Sequence, residues 1–192
     1  MGRIVACINL SLDGVMQAPA RADEDERDGF THGGWAAPYG AMAAVGHVFG
    51  NTDALLLGRR TYTDFATVWP ARPDSPFTPW LTHIPKHVVS RTLREPLPWA
   101  NSTLVQGDVT TAVRALKDAV ARDILIMGSG ELLRTLIPNR LVDELVLLVH
   151  PVVLGAGRRL FGEADAPVAL DLVSSSALPS GVLVATYQPA RR

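Results

Sequence analysis

Apolar residues follow two alternating spacings along this chain. Arg3 to Leu10 carries Ile4, Val5, Cys7, Ile8 and Leu10 with little polar relief, the mark of a strand buried on both faces. Short apolar runs recur at Ala54 to Leu57, His87 to Val89, Thr103 to Gln106, Asp123 to Met127 and Glu144 to Val149. Helical spacing falls between them. Ala41 to Phe49 puts Met42, Val45 and Phe49 on one face, and Tyr62 to Val68 continues directly from a strand. Thr110 to Ala121 aligns Val113, Leu116 and Val120, and Glu131 to Ile137 stops at Pro138. Val168 to Ser175 and Val182 to Gln188 read as a closing hairpin.

Three stretches break the rhythm. Residues 11–38 are polar and turn-rich, with an acidic run from Asp23 to Glu26 and again Asp28. A loop of that length inside a compact domain is usually functional or disordered. Residues 70–85 hold Pro70, Pro73, Pro76, Pro79 and Pro85 and are expected to be loop. Pro151 to Phe161 contains Gly155 and Gly157 and reads as irregular. The alternation predicts an α/β fold: a mixed, mostly parallel sheet with helices on both faces and a C-terminal antiparallel pair. No break divides residues 1–192, so one domain is expected.

Composition narrows the function classes. Of 192 residues, 47% are hydrophobic and 19% charged, enough to bury a sizeable core. The net charge of −1 lacks the basic excess that a nucleic-acid or membrane-surface binder needs. The longest apolar stretch, Leu145 to Leu154, holds His150 and Pro151 and is far short of the ~20 residues of a spanning helix. The N-terminus lacks the h-region and cleavage site of a signal peptide, so a cytoplasmic protein is expected. Cys7 is the only cysteine, which excludes a disulfide framework, and its place in a core strand predicts an inert thiol. The five histidines are scattered, and the acidic run lacks calcium-loop spacing, so no metal site is expected. No Gly-x-Ser-x-Gly elbow is present.

Candidate chemistry sits at strand ends, where open α/β sheets bind ligands. Gly58-Arg59-Arg60-Thr61 follows the second strand and offers a tight turn, two guanidiniums and a hydroxyl. Ser90-Arg91 ends the third and pairs a hydroxyl with a guanidinium. Gly128-Ser129-Gly130-Glu131-Leu132 links a strand to a helix through small residues that let a pyrophosphate approach the backbone. It is not the full G-x-G-x-x-G fingerprint, because Leu133 holds the last position, and no acid follows about 20 residues on to hold a ribose. One cradle plus arginine-bearing strand ends suits NADPH better than NADH, since arginine accommodates the 2′-phosphate.

With Asn9-Leu10-Ser11-Leu12-Asp13-Gly14, Leu141-Val142-Asp143-Glu144-Leu145 and the run from Pro151 to Phe161, these segments resemble the dihydrofolate reductase-like superfamily. Within it the chain is most similar to the reductase domain of the bifunctional riboflavin-biosynthesis deaminase–reductase. The resemblance covers nearly the whole chain. It implies a three-layer fold with an eight-stranded sheet, NADPH as cofactor, hydride transfer to a small heterocyclic or carbonyl-like substrate, and a homodimer. It places Arg59, Arg60, Ser90 and Arg91 near the 2′-phosphate and Gly128 to Leu132 at the pyrophosphate. Ile8 and Asn9 would flank the nicotinamide, with Asp13 and Gly14 beside the active site.

Two departures limit the parallel. Dihydrofolate reductases carry a carboxylate on the first helix, and Ala36 to Met42 has none. The deaminase signature, H-x-E with P-C-x-x-C, is absent. Three functions follow: an NADPH-dependent reductase of unassigned substrate, a stand-alone 5-amino-6-(5-phosphoribosylamino)uracil-type reductase, or a non-catalytic NADPH-binding protein. The second needs another phosphate site, for which only Arg158 and Arg159 offer themselves.

For proton supply, Asp13, Tyr39 and water are the candidates. Asp13 equally reads as a turn cap before Gly14. Trp35 and Tyr39 follow the hinge-like Gly33-Gly34 and read either as an aromatic lid on the substrate pocket or as a hydrophobic anchor. His150 before Pro151 reads as the end of a buried strand.

Overall fold

Strand β1, Ile4–Ser11, is buried along its length except at Asn9, as its apolar run requires. Its side chains alternate between two cores. Ile4, Ala6, Ile8 and Leu10 join Val113, Leu132, Leu133 and Leu136 in one cluster. Val5 and Cys7 join Val45, Val48, Tyr62, Leu81 and Trp99 in the other. A strand that feeds two cores lies in the middle of three layers.

The structure, a computed structural model, describes residues 1–162 and 167–190. The remaining strands are β2 (Thr52–Gly58), β3 (Lys86–Val89), β4 (Ser102–Val105), β5 (Asp123–Met127), β6 (Glu144–His150), β7 (Leu170–Ala177) and β8 (Leu183–Pro189). They form one eight-stranded sheet in the order β4-β3-β2-β5-β1-β6-β8-β7. Strands β4 through β6 run parallel, whereas β8 is antiparallel to both β6 and β7. Helices α1 (Gly46–Gly50), α2 (Arg59–Val68) and α3 (Thr78–His83) cover one face; α4 (Val109–Ala119) and α5 (Gly130–Leu136) cover the other. This is the dihydrofolate reductase-like arrangement expected of the sequence. No helix among the described residues is long and apolar enough to cross a membrane.

Two expected elements are corrected. Residues 70–85 are not all loop, because Thr78–His83 form α3. Pro79 stands in its first turn, where the missing N–H costs no hydrogen bond, and Leu81 anchors the helix in the core. The single helix expected over Ala41 to Phe49 is split into a 3-10 turn, Ala41–Val45, and α1. Gly40, in the left-handed region, opens the turn, and Val45, at the junction, is non-helical.

Residues 11–38 have a small core of their own. Val15, Ala18, Phe30, Trp35 and Ala36 are buried together against Val152 and Leu154. Val15 also bridges Arg159, so the loop after β1 and the loop after β6 are built as one unit. They meet above the C-terminal ends of β1 and β6.

Candidate active site

The sheet order sets three expected turns side by side. β3 ends at Val89, just before Ser90, β2 at Gly58 and β5 at Met127, with β1 next in the row. From β3 to β1 is three strand spacings, about 14 Å. The result is a ledge along the C-terminal edge of the parallel strands.

Two of these turns are clasped to each other. The Ser129 N–H donates to Thr61 Oγ1 at 3.2 Å, and the Ser129 hydroxyl donates to the same atom at 3.0 Å. In return the Gly58 N–H donates to Ser129 Oγ at 3.0 Å. Gly128 has φ +59°, and a side chain there would press on Thr61 Oγ1 at 3.3 Å. Ser129 is itself left-handed, at φ 56°, a conformation uncommon outside glycine. The small residues therefore let two loops, 68 positions apart in sequence, close onto each other.

The third turn is simpler. Ser90 Oγ accepts from the N–H groups of Thr92 at 3.1 Å and Leu93 at 3.0 Å, a local turn that presents Arg91 to solvent. Arg59 and Arg91 are exposed and hold no carboxylate among the described residues. Arg60 leans toward Glu131 Oε1 at 3.7 Å. Two residues that sequence reading did not place here reach the same oxygen: Arg158 at 3.3 Å and Arg27 at 3.6 Å. Met16 lies over Gly130 so closely that a side chain there would run into its sulfur. Leu132 and Ile8 are core residues, which leaves only their main chain for a ligand.

At the β1 end the site becomes buried and interlocked. Asn9 is half-buried, and its Oδ1 lies 2.9 Å from Nε2 of His150 at the end of β6. Among the described residues Asn9 Nδ2 faces only the Met42 sulfur, at 3.9 Å. The His150 ring stands edge-on to Trp35, centroids 5.3 Å apart, and to Tyr39, 5.2 Å apart. Burial lowers the His150 pKa, so the ring is neutral at pH 7. Sequence reading saw His150 only as the end of a strand.

Trp35 turns out to be an anchor. It is buried, and its indole N–H donates to the Gln17 carbonyl at 2.7 Å. Tyr39 is half-buried and its hydroxyl has no hydrogen bond among the described residues. Asp13 is a clasp between loops. Its carboxylate accepts from the Ser11 hydroxyl at 2.7 Å, the Leu154 N–H at 3.1 Å and the Gly155 N–H at 2.9 Å. These bonds, Ser11 foremost, hold its pKa down at about 2. A group so held is a poor proton donor at neutral pH. Cys7 is buried and its thiol is pushed up to about 12 by desolvation, which makes it inert as expected.

Two open grooves lie elsewhere. They line the opposite end of the sheet, around Trp80, His83, Pro85 and Trp99, and carry none of this chemistry.

Comparison with known proteins agrees with the fold. The family model "RibD C-terminal domain" matches residues 3–184. The uncharacterized protein YyaP of Bacillus subtilis (strain 168) is 33% identical over 139 residues, which covers 70% of this chain and 73% of YyaP. A solved protein of Shewanella sp. PV-4, provisionally assigned to riboflavin biosynthesis, superposes with TM-score 0.71 at 22% identity, over 98% of this chain and 99% of that one. The dihydrofolate reductase of Enterococcus faecalis, solved with NADP(H), superposes with TM-score 0.63 at 16% identity, over 98% and 97%. At these identities the two structures establish the fold.

Proposed function

Because the chain belongs to the RibD C-terminal domain family, a reductase-like family, we propose that it is an NADPH-dependent reductase of a small heterocyclic or carbonyl-like substrate. The observation that carries this reading is the ledge. Exposed Arg91 and Arg59 stand at one end, the clasped glycine turns in the middle, and a half-buried asparagine bonded to a buried histidine at the other.

The residues fit the cofactor. Arg59 and Arg91, with Ser90 and Arg60, would hold the 2′-phosphate, since guanidinium forks suit phosphate oxygens. Gly58, Thr61 and Gly128 to Leu132 would meet the pyrophosphate. Ile8 and Asn9 would flank the nicotinamide. NADPH supplies the hydride when bound. The chain's own contribution is orientation and exclusion of water: the core of residues 11–38 fixes the loop above β1, and the Asp13 clasp fixes the loop after β6. Since Asp13 stays ionised, the proton comes from Tyr39 or water rather than from that carboxylate.

Dihydrofolate is disfavoured as substrate, because Ala36 to Met42 brings no carboxylate to this face. A stand-alone 5-amino-6-(5-phosphoribosylamino)uracil-type reductase is the narrower reading. It gains little from Arg158, engaged with Asp28 and Glu131, or from Arg159, which donates to the Asp13 carbonyl. The reading also takes residues 1–192 as one cytoplasmic domain and a homodimer. Edge strand β7 supports the dimer: Leu172 and Val173 are each more than half exposed there.

Calorimetric titration tests the cofactor. NADPH is expected to bind at least tenfold tighter than NADH, and equal binding would reject the 2′-phosphate assignment. Turnover is tested on quinones, pterins, pyrimidinones and simple carbonyls. NADPH binding with no oxidation across that panel would favour the non-catalytic alternative.

A further inference from the structure

A half-buried asparagine on β1 and a buried histidine at the end of β6 interrupt an otherwise apolar face. Asn9 and His150 continue the face of the sheet that carries Val5, Cys7, Val146 and Leu148, all apolar. Burying polar groups there is unfavourable unless their hydrogen bonds are made. His150 is 1% exposed, yet Nδ1 is buried with no partner among the described residues. Only Nε2 is engaged, with Asn9 Oδ1.

This arrangement fixes orientation. An amide oxygen only accepts, so Nε2 must carry the proton, and the neutral ring then leaves Nδ1 as a bare lone pair. A charged ring would place an unsatisfied N–H between Trp35 and Tyr39. The Asn9 carboxamide is thereby held with oxygen toward His150 and NH2 away from it. That NH2 carries two hydrogens and faces one weak acceptor, the Met42 sulfur. It is a half-buried, pre-oriented donor with spare capacity.

We propose that Asn9 Nδ2 binds a carbonyl oxygen on the substrate ring and that His150 is the positioning residue that aims it. A substrate that carries a carbonyl acceptor, as a ring lactam or pyrimidinone does, would meet this donor. Asn9 Nδ2 faces Met42, in the cluster that also holds Tyr39, on the side given to the substrate; the nicotinamide carboxamide is the competing partner. The inference rests on the reductase reading for the role of this face. A site built around one oriented donor discriminates strongly against analogues that lack the acceptor.

The test uses the full-length, 15N-labelled protein, NADPH and uracil as the probe. Imidazole 15N shifts of the free protein report the His150 tautomer; Nε2–H is expected, and Nδ1–H overturns the proposal. Uracil added to the NADPH complex is expected to move the Asn9 side-chain NH2 signals. A shift caused fully by NADPH alone would assign the carbonyl to the cofactor and overturn the substrate role. Asn9→Asp, which removes the donor at constant size, should weaken uracil at least tenfold, a clearly larger loss than it causes for NADPH. His150→Phe should weaken uracil similarly, and His150→Gln, which can still donate to Asn9, should restore most of it. Wild-type uracil affinity in Asn9→Asp, or no uracil binding by the wild-type complex, rejects the proposal. Failure of NADPH itself to bind would reject the reductase reading, while the tautomer measurement still decides whether His150 aims Asn9.

Discussion

The two ends of the ledge are built on opposite principles. At the β3 and β2 end, exposed arginines stand in solvent, and the hydrogen bonds of the Ser90 turn span two or three residues. At the β1 and β6 end, local bonds are joined by a set that links segments more than 100 residues apart. Asp13 holds Leu154 and Gly155, the Arg158 N–H donates to Gln17 Oε1, and His150 holds Asn9. The first end can lose a side chain without disturbing the fold. The second cannot, because each residue there is also part of a scaffold. Binding charge is thus separated from structural duty at one end and merged with it at the other.

The merged end should be the more fragile, and Gly157 gives the largest effect. It has φ +113°, and a Cβ there would stand 2.7 Å from both the Phe30 ring and Val15 Cγ1. Gly157→Ala adds backbone strain to overpacking, so it should destabilise by about 3 kcal/mol. For a chain of this size that lowers Tm by about 6–12 °C in a thermal melt. A loss under about 1 kcal/mol would show that the two loops are not packed as one unit.

The separated end should respond in binding alone. Arg91→Ala and Arg59→Ala should each weaken NADPH by about tenfold, the worth of one charge-assisted contact. NADH affinity and Tm should stay unchanged, since both side chains are exposed and free of ion pairs among the described residues. Equal losses for NADH and NADPH would place these arginines away from the 2′-phosphate and remove the contrast between the ends.

The same contrast explains what was legible in the sequence. Strand β5 keeps its expected bounds, Asp123–Met127, and its glycine turn was visible because strand, turn and helix are contiguous. That contiguity is what a single sequence displays. Helix α3 was hidden because five prolines read as breakers, although a proline in the first helical turn breaks nothing. The anchor role of Trp35 depends on the Gln17 carbonyl, and the purpose of His150 on a partner 141 residues away. No local pattern encodes such pairings. Arg27 was legible as a charge but not as a neighbour of Glu131, since only the folded loop brings them together.

Asp13 provides the smallest and most specific test of the merged end. Its three hydrogen bonds demand the ionised carboxylate, because each partner donates. Asp13→Asn keeps one acceptor but turns the other position into a donor facing an N–H, so stability should fall by about 1 kcal/mol at pH 7. The pH dependence follows from the sign of the shift. The folded pKa, about 2, lies below the ordinary 3.8, so the clasp's contribution is complete above pH 4 and disappears as pH falls toward 2. Denaturant unfolding of wild type and Asp13→Asn should therefore give curves that are separated near neutrality and converge below pH 3. A pH-independent gap would mean that Asp13 acts through shape alone. A loss of turnover at pH 7 without any loss of stability would return this residue to the proton-transfer role that its hydrogen bonds argue against.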